Sequence, residues 1–240
     1  MESHPTPGSP AGHAAEVGLV ALVAVVVVFV GWSLVGPNAL HRQAVVWVAN
    51  LLMLVGVRIG LRRRGRSWAD LGLSLHGGGL RAVGRTILQA IVVLVLAMVA
   101  FVAGGIAMQV LAPAGTAVDT SGYEYLRGNL PRLLMALPAV YLVSSFGEEV
   151  LYRGFLIERI RGIVGDGRTG WSVAVLASAV IFGLAHFDWG FVGVVQTFCM
   201  GLVLAIAYVA TKQNLWALVL AHAIMDTLLL VQIYQSPAAS

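Results

Sequence analysis

The residues that could do chemistry in this chain are ionisable side chains inside otherwise apolar runs. Three runs in its second half carry them: Glu148, Glu149, Arg153, His186, His222 and Asp226. A carboxylate and an imidazole that face one water can remove its proton while the water attacks a carbonyl. Further hydrogen-bonding groups can hold the oxyanion that develops. The set therefore suits hydrolysis at a carbonyl carbon.

The same residue types also suit a divalent metal such as zinc, because His, Glu and Asp are zinc ligands. For a metal-assisted site the candidate ligands are Glu148, His186 and His222. The HisGluxxHis motif that places a zinc site on one helix is absent from the sequence. A divalent metal and no cofactor at all both remain open at this point.

Helical periodicity predicts which of these side chains share a face. Residues four apart lie on the same side of a helix, so Glu149 should pair with Arg153, and His222 with Asp226. Glu148 points about 100° away from Glu149 and is expected to meet a different partner.

Residue counting places the three runs at a common depth. Each residue of a helix adds a rise of about 1.5 Å. Counted from the end of each run that the basic residues place in the cytoplasm (see below), Glu149, His186 and His222 lie at overlapping depths in the bilayer. Phe182 stands one turn before His186 and is expected to form a wall of the same cavity. These positions predict one polar pocket that opens toward the cytoplasm.

The composition indicates that lipid is the solvent of this chain. Its 240 residues are 59% hydrophobic and 11% charged, with a mean hydropathy of +0.88; a soluble domain carries about 25% charged residues. This excludes a soluble enzyme and a disordered chain. The basic residues lie between apolar runs, which argues against a nucleic-acid partner. Cys199 is the single cysteine, so no disulfide partner is expected.

Seven continuous apolar runs are each near the roughly 20 residues that cross a bilayer, although the fifth is short. They cover 17–36, 44–61, 86–112, 131–153, 171–187, 190–210 and 215–234. The predicted fold is an all-α, polytopic membrane helix bundle of about seven transmembrane helices, with six to eight possible. Residues 1–16 are expected to form a flexible N-terminal tail, and 236–240 a C-terminal tail.

The basic residues predict the orientation of the bundle. Residues 58–85 form a basic loop between the N-terminal transmembrane helices of 17–130. If this loop is cytoplasmic, eleven Arg and Lys residues lie on the cytoplasmic side of the membrane and three on the other side. Such an excess of basic residues is typical of the cytoplasmic side. The N-terminus is then cytoplasmic and the C-terminus lies outside. We expect an integral protein of a prokaryotic plasma membrane.

Three short motifs occur in order within the apolar runs. They are GluGluValLeuTyrArg (148–153), PheGlyLeuAlaHis (182–186) and HisAlaIleMetAsp (222–226). This arrangement resembles the CPBP intramembrane protease family, also called the Abi family. That family includes type II CAAX prenyl proteases and many bacterial bacteriocin-immunity proteins. The resemblance implies a catalytic core over 131–235.

The resemblance also implies roles for the polar residues. Glu148 would activate water with His186 as its partner, and His222 would stabilise the oxyanion together with Asp226. Glu149 and Arg153 would form an ion pair that holds Glu148 in place.

Position 226 departs from the usual pattern of the family. The eukaryotic prenyl proteases usually have Asn where this chain has Asp226. An ionised Asp cannot donate to an oxyanion, so Asp226 must be protonated, orient His222 or help to bind a metal.

The function expected from these observations is an intramembrane endopeptidase that acts on a hydrophobic or lipidated peptide or protein. Two other classes stay open. A catalytically silent membrane partner, such as an immunity protein, would keep its function without Glu148. A proton-coupled transporter would also use buried Glu, His and Asp, but its polar residues should line a path across the bilayer.

Overall fold

The computed structural model describes residues 8–75, 78–111 and 116–237. Within these ranges the chain is helical, with eight α-helices and no strand. They are α1 (Pro10–Val35), α2 (Ala39–Arg63), α3 (Gly79–Leu111), α4 (Leu130–Val140), α5 (Ile157–Val164), α6 (Arg168–Leu184), α7 (Gly190–Ala210) and α8 (Leu215–Gln235). Short 3₁₀ turns, η1 (Trp68–Leu71), η2 (Ser121–Leu126) and η5 (Phe187–Trp189), join some of them.

Six helical stretches of the described chain are long and apolar enough to cross a membrane, and α6 is a shorter apolar helix. One of the six is the continuous helix Leu130–Val164, which contains α4 and α5 and is called the site helix below. The prediction of a polytopic helical membrane bundle is confirmed, and the short fifth run of the prediction corresponds to α6.

The first helix begins earlier than the sequence predicted. Ser9 caps α1 by accepting a hydrogen bond from the backbone N–H of Gly12 at 3.1 Å, and Pro10 occupies the first turn. Residues 10–16 are therefore helical, so the predicted tail was too long by seven residues. Residues 1–7 of that tail lie outside the described part of the chain.

The site helix contains two π-helical segments, Tyr141–Phe146 and Glu149–Leu156, on either side of Gly147 and Glu148. Pro138 precedes the first of them and contributes no backbone N–H to the helical ladder. A π turn contains more residues than an α turn, so it changes which side chains share a face. Such segments are frequent at functional sites.

The apolar core surrounds the second π segment. Val150, Leu151 and Phe155 are buried there against residues of α2, α3, α7 and α8. Helix α7 packs against α3 and α6, and α3 packs against α8. The site helix is thus enclosed by the bundle, and it carries its polar residues into the protein interior.

Charged side chains gather at one end of the bundle. Glu16 pairs with Arg64 at 2.9 Å and with Arg159 at 2.6 Å, and Glu158 pairs with both Arg159 and Arg66. These contacts join the start of α1, the end of α2 and α5. The segments predicted to share one side of the membrane therefore lie at one end of the molecule, whereas the side that this end faces stays a prediction.

Candidate active site

The innermost part of the site is a fully buried ion pair within the site helix. Arg153 Nη1 donates to Glu149 Oε1 at 2.9 Å, and both side chains are completely buried. Arg153 Nη2 also donates to the carbonyl oxygen of Gly201 on α7, at 3.2 Å. The predicted i,i+4 pair is confirmed, and its second bond anchors the site helix to α7.

The His222 imidazole lies among three carboxylates. Its Nδ1 donates to Glu149 Oε1 at 2.7 Å. Its Nε2 lies 3.9 Å from Glu148 Oε2 and 3.7 Å from Asp226 Oδ1. Helix α8 thus inserts one side chain that contacts both glutamates of the first motif.

Glu148 meets a partner other than Arg153, as predicted, but that partner is His222, which Glu149 also contacts. Both carboxylates approach His222, one at each ring nitrogen. The prediction assumed a rotation of 100° per residue, which holds for an α-helix. Here Glu148 lies between two π segments, where successive side chains are rotated by less.

Glu148 differs from its neighbour in exposure and in bonding. Its side chain is 14% exposed, whereas that of Glu149 is fully buried. Glu148 Oε2 has no hydrogen-bond partner among the described residues. Its distance to His222 Nε2, 3.9 Å, exceeds that of a direct hydrogen bond, so a water that bonds to both must lie to one side of the line between them. Glu148 is thus the less buried of the two glutamates, although its Oε2 is itself buried.

Asp226 is held on the same side of the imidazole. Ser145 Oγ donates to Asp226 Oδ2 at 2.7 Å, and Ser145 itself is fully buried. The Asp226 side chain is 15% exposed. Its other oxygen therefore faces His222 Nε2 and the space beside Glu148.

Phe182 forms the wall that the sequence predicted. Its ring is fully buried, and its centroid lies 4.8 Å from that of His186 and 6.2 Å from that of His222. The Arg153 guanidinium stacks over the same ring at 4.3 Å. The phenyl ring thus joins the ion pair to both imidazoles.

His186 contacts the aromatic wall rather than a glutamate. Its Nδ1 donates to the backbone carbonyl of Phe182 at 2.8 Å, which leaves Nε2 as the acceptor nitrogen of the neutral ring. The ring packs edge-on against Trp189 at 5.3 Å. In this structure the imidazole beside Glu148 is therefore that of His222.

Two aromatic residues at the site were missed in the sequence, because neither belongs to a motif. Trp189 packs against His186 and also, at 6.1 Å, against Tyr123 of η2. Burial, together with the carboxylates of Asp226 and Glu148, raises the pKa of the Tyr123 hydroxyl. A protonated phenol therefore lies near the two exposed carboxylates.

The described residues were also compared with the requirements of a metal site. No three His, Cys, Asp or Glu side chains in the described ranges are placed to hold a metal ion together. The metal alternative, with Glu148, His186 and His222 as ligands, is thus not supported.

Fold and site together define a polytopic membrane protein with a buried site of carboxylates and histidines. Residues 130–228, which contain all three motifs, match the model of a family described as type II CAAX prenyl endopeptidase Rce1-like. The resemblance seen in the motifs is confirmed, and this part of the chain is similar to that family. Comparisons with curated proteins and with solved structures found no match. The match to this family model and the six long apolar helices together support a peptidase that is integral to a membrane.

Proposed function

We propose that the protein is an intramembrane endopeptidase that hydrolyses a peptide bond of a membrane-associated or lipidated peptide or protein. The observation that carries the proposal is the position of Glu148. Its side chain is partly exposed, its Oε2 has no bonded partner in the described chain, and the His222 imidazole lies beside it.

In the proposed reaction Glu148 accepts a proton from a water as the water oxygen attacks the scissile carbonyl carbon. The carbonyl oxygen becomes an oxyanion. When the tetrahedral intermediate collapses, the C–N bond breaks and Glu148 returns the proton to the leaving nitrogen. The products are a carboxylic acid and an amine, and no metal is needed for any step.

His222 supplies hydrogen bonding at the oxyanion in this proposal. Glu149 accepts from Nδ1 and fixes the orientation of the ring. In the imidazolium form Nε2 also carries a proton, and this proton would face the space between Glu148 and Asp226. Asp226, held by Ser145, then positions His222 rather than donating itself. His186, which bonds to the Phe182 carbonyl, transfers no proton in this proposal.

A lipidated or otherwise apolar substrate is supported by the surroundings of the site. The site helix and its neighbours are long apolar helices, so a substrate must reach Glu148 from within or beside the bilayer. The description of the family, which concerns prenyl endopeptidases, points to the same substrate class. We also propose a cytoplasmic N-terminus, from the distribution of Arg and Lys.

The test is cleavage of a panel of fluorogenic, lipid-tailed peptides by the purified protein in detergent. Glu148→Gln should lower the rate by about 10²–10⁴-fold, the usual contribution of a general base, without a change in thermal stability. Glu124→Gln is the matched control, because this glutamate is 54% exposed and pairs with Arg127. A strong chelator should leave the rate unchanged. Wild-type turnover by Glu148→Gln would reject the role of Glu148, whereas no cleavage of any peptide by the wild-type protein would favour a silent binding partner.

A further inference from the structure

A second cavity lies at the charged end of the bundle, away from the candidate active site. It has a volume of about 280 Å³, and its lining includes Arg66, Arg161, Glu158, Asp166, Trp171 and Tyr208. It shares no lining residue with the site around Glu148. Nothing in the proposed peptidase reaction uses these side chains, so the cavity requires a separate explanation.

Arg161 is placed to receive an anion in this cavity. Its guanidinium stacks on the Trp171 ring at 3.7 Å, which fixes the plane of the group. Arg161 Nε is buried and has no hydrogen-bond partner in the part of the chain that the structure describes. Arg161 Nη2 donates to Asp166 at 2.6 Å, but the Asp166 side chain is 87% exposed. A carboxylate so exposed is held weakly and can be displaced.

The surrounding charge favours an anionic ligand. In the described ranges this end of the bundle holds eleven basic residues and four acidic ones. The basic residues are Arg58, Arg62, Arg63, Arg64, Arg66, Arg81, Arg85, Arg159, Arg161, Arg168 and Lys212, and the acidic ones are Glu16, Asp70, Glu158 and Asp166. An excess of positive charge raises the local concentration of anions.

The depth of the cavity matches that of lipid headgroups. Trp171 is in the first turn of α6, which begins at Arg168, and Tyr208 is in the last turn of α7, which ends at Ala210. Trp and Tyr are enriched where membrane helices meet the headgroup layer. Basic pockets between membrane helices are also known to bind anionic headgroups.

We propose that this cavity binds the phosphate group of an anionic membrane lipid, with Arg161 as the main ligand. The guanidinium donates two parallel hydrogen bonds to phosphate oxygens, while Asp166 moves into solvent. The acyl chains then lie along the apolar outer surface of the bundle. The proposal does not depend on peptidase activity.

The experiment measures lipid retained by the purified full-length protein in non-ionic detergent, by native mass spectrometry. Phosphatidylglycerol is titrated against phosphatidylcholine, which has the same phosphate but no net charge. We expect saturable binding of phosphatidylglycerol. Arg161→Gln should weaken it about tenfold, the loss expected for one or two charge-assisted hydrogen bonds. Arg168→Gln is the matched control, because Arg168 is exposed at the same end and does not line the cavity.

A variant with the opposite effect keeps the test independent of misfolding. Asp166→Asn removes the carboxylate that competes for Arg161 and should strengthen phosphatidylglycerol binding. Equal losses in Arg161→Gln and Arg168→Gln, or no preference for phosphatidylglycerol, would overturn the proposal. A third arm adds inorganic phosphate alone. Displacement of the lipid by millimolar phosphate would assign the site to free phosphate and overturn the lipid proposal.

Discussion

Replacing Glu149 by Gln tests the central reasoning about the site. Glu149 Oε1 accepts two charge-assisted hydrogen bonds, from Arg153 at 2.9 Å and from His222 at 2.7 Å. Gln retains one neutral acceptor but removes the negative charge. Arg153 is fully buried, so its charge would be left without a counterion. Breaking a buried pair in this way costs about 3–5 kcal/mol, and we expect Glu149→Gln to lower the free energy of unfolding by that amount.

The assay is a reversible SDS titration in mixed micelles, with helicity as the readout. Glu124→Gln is the matched control, because Glu124 pairs with Arg127 at the surface, where such pairs contribute about 0–1 kcal/mol. A difference of at least 2 kcal/mol between the variants is expected from those ranges.

A second variant separates loss of the pair from loss of packing. Glu149→Gln combined with Arg153→Met removes both charges, so no unpaired ion is left in the interior. We expect the double variant to be more stable than Glu149→Gln alone. If Glu149→Gln unfolds at the same SDS fraction as Glu124→Gln, the buried pair does not support the fold, and the reasoning is refuted.

Three other substitutions test single contacts. Gly201→Ala should lower the free energy of unfolding by about 1–3 kcal/mol in the same titration, because its Cβ would lie 2.7 Å from the buried ring of Phe182. Gly84→Ala is the control and should not lower it, because a Cβ there meets no atom within 4 Å. Ser145→Ala should lower the unfolding free energy by about 1 kcal/mol, since Ser145 donates to Asp226. Asp226→Ala should slow peptide cleavage about 100-fold, while Asp226→Asn should keep most of the wild-type rate. If Asp226→Ala cleaves at the wild-type rate, this side chain has no role in the reaction.

Much of the architecture is determined by local sequence. Backbone polar groups in lipid must be bonded within their own segment, so each apolar run of about 20 residues predicts a helix. The pair of Glu149 and Arg153 follows from helical spacing alone, and so does the proximity of Phe182 to His186. The three motifs were sufficient to indicate the resemblance to the family, because their order and spacing can be seen without any contact between helices.

Contacts between helices were decided only by the tertiary structure. Which imidazole lies beside Glu148 depends on the rotation and the axial shift of α8 against the site helix, and local periodicity contains neither quantity. The π segments change the rotation per residue around Glu148, and nothing in the pattern of apolar residues marks them. The bond from Arg153 to Gly201 and the packing of Tyr123 on Trp189 join residues far apart in the chain. The sequence alone therefore determined which residues are polar inside the membrane, and packing between helices determined which of them meet.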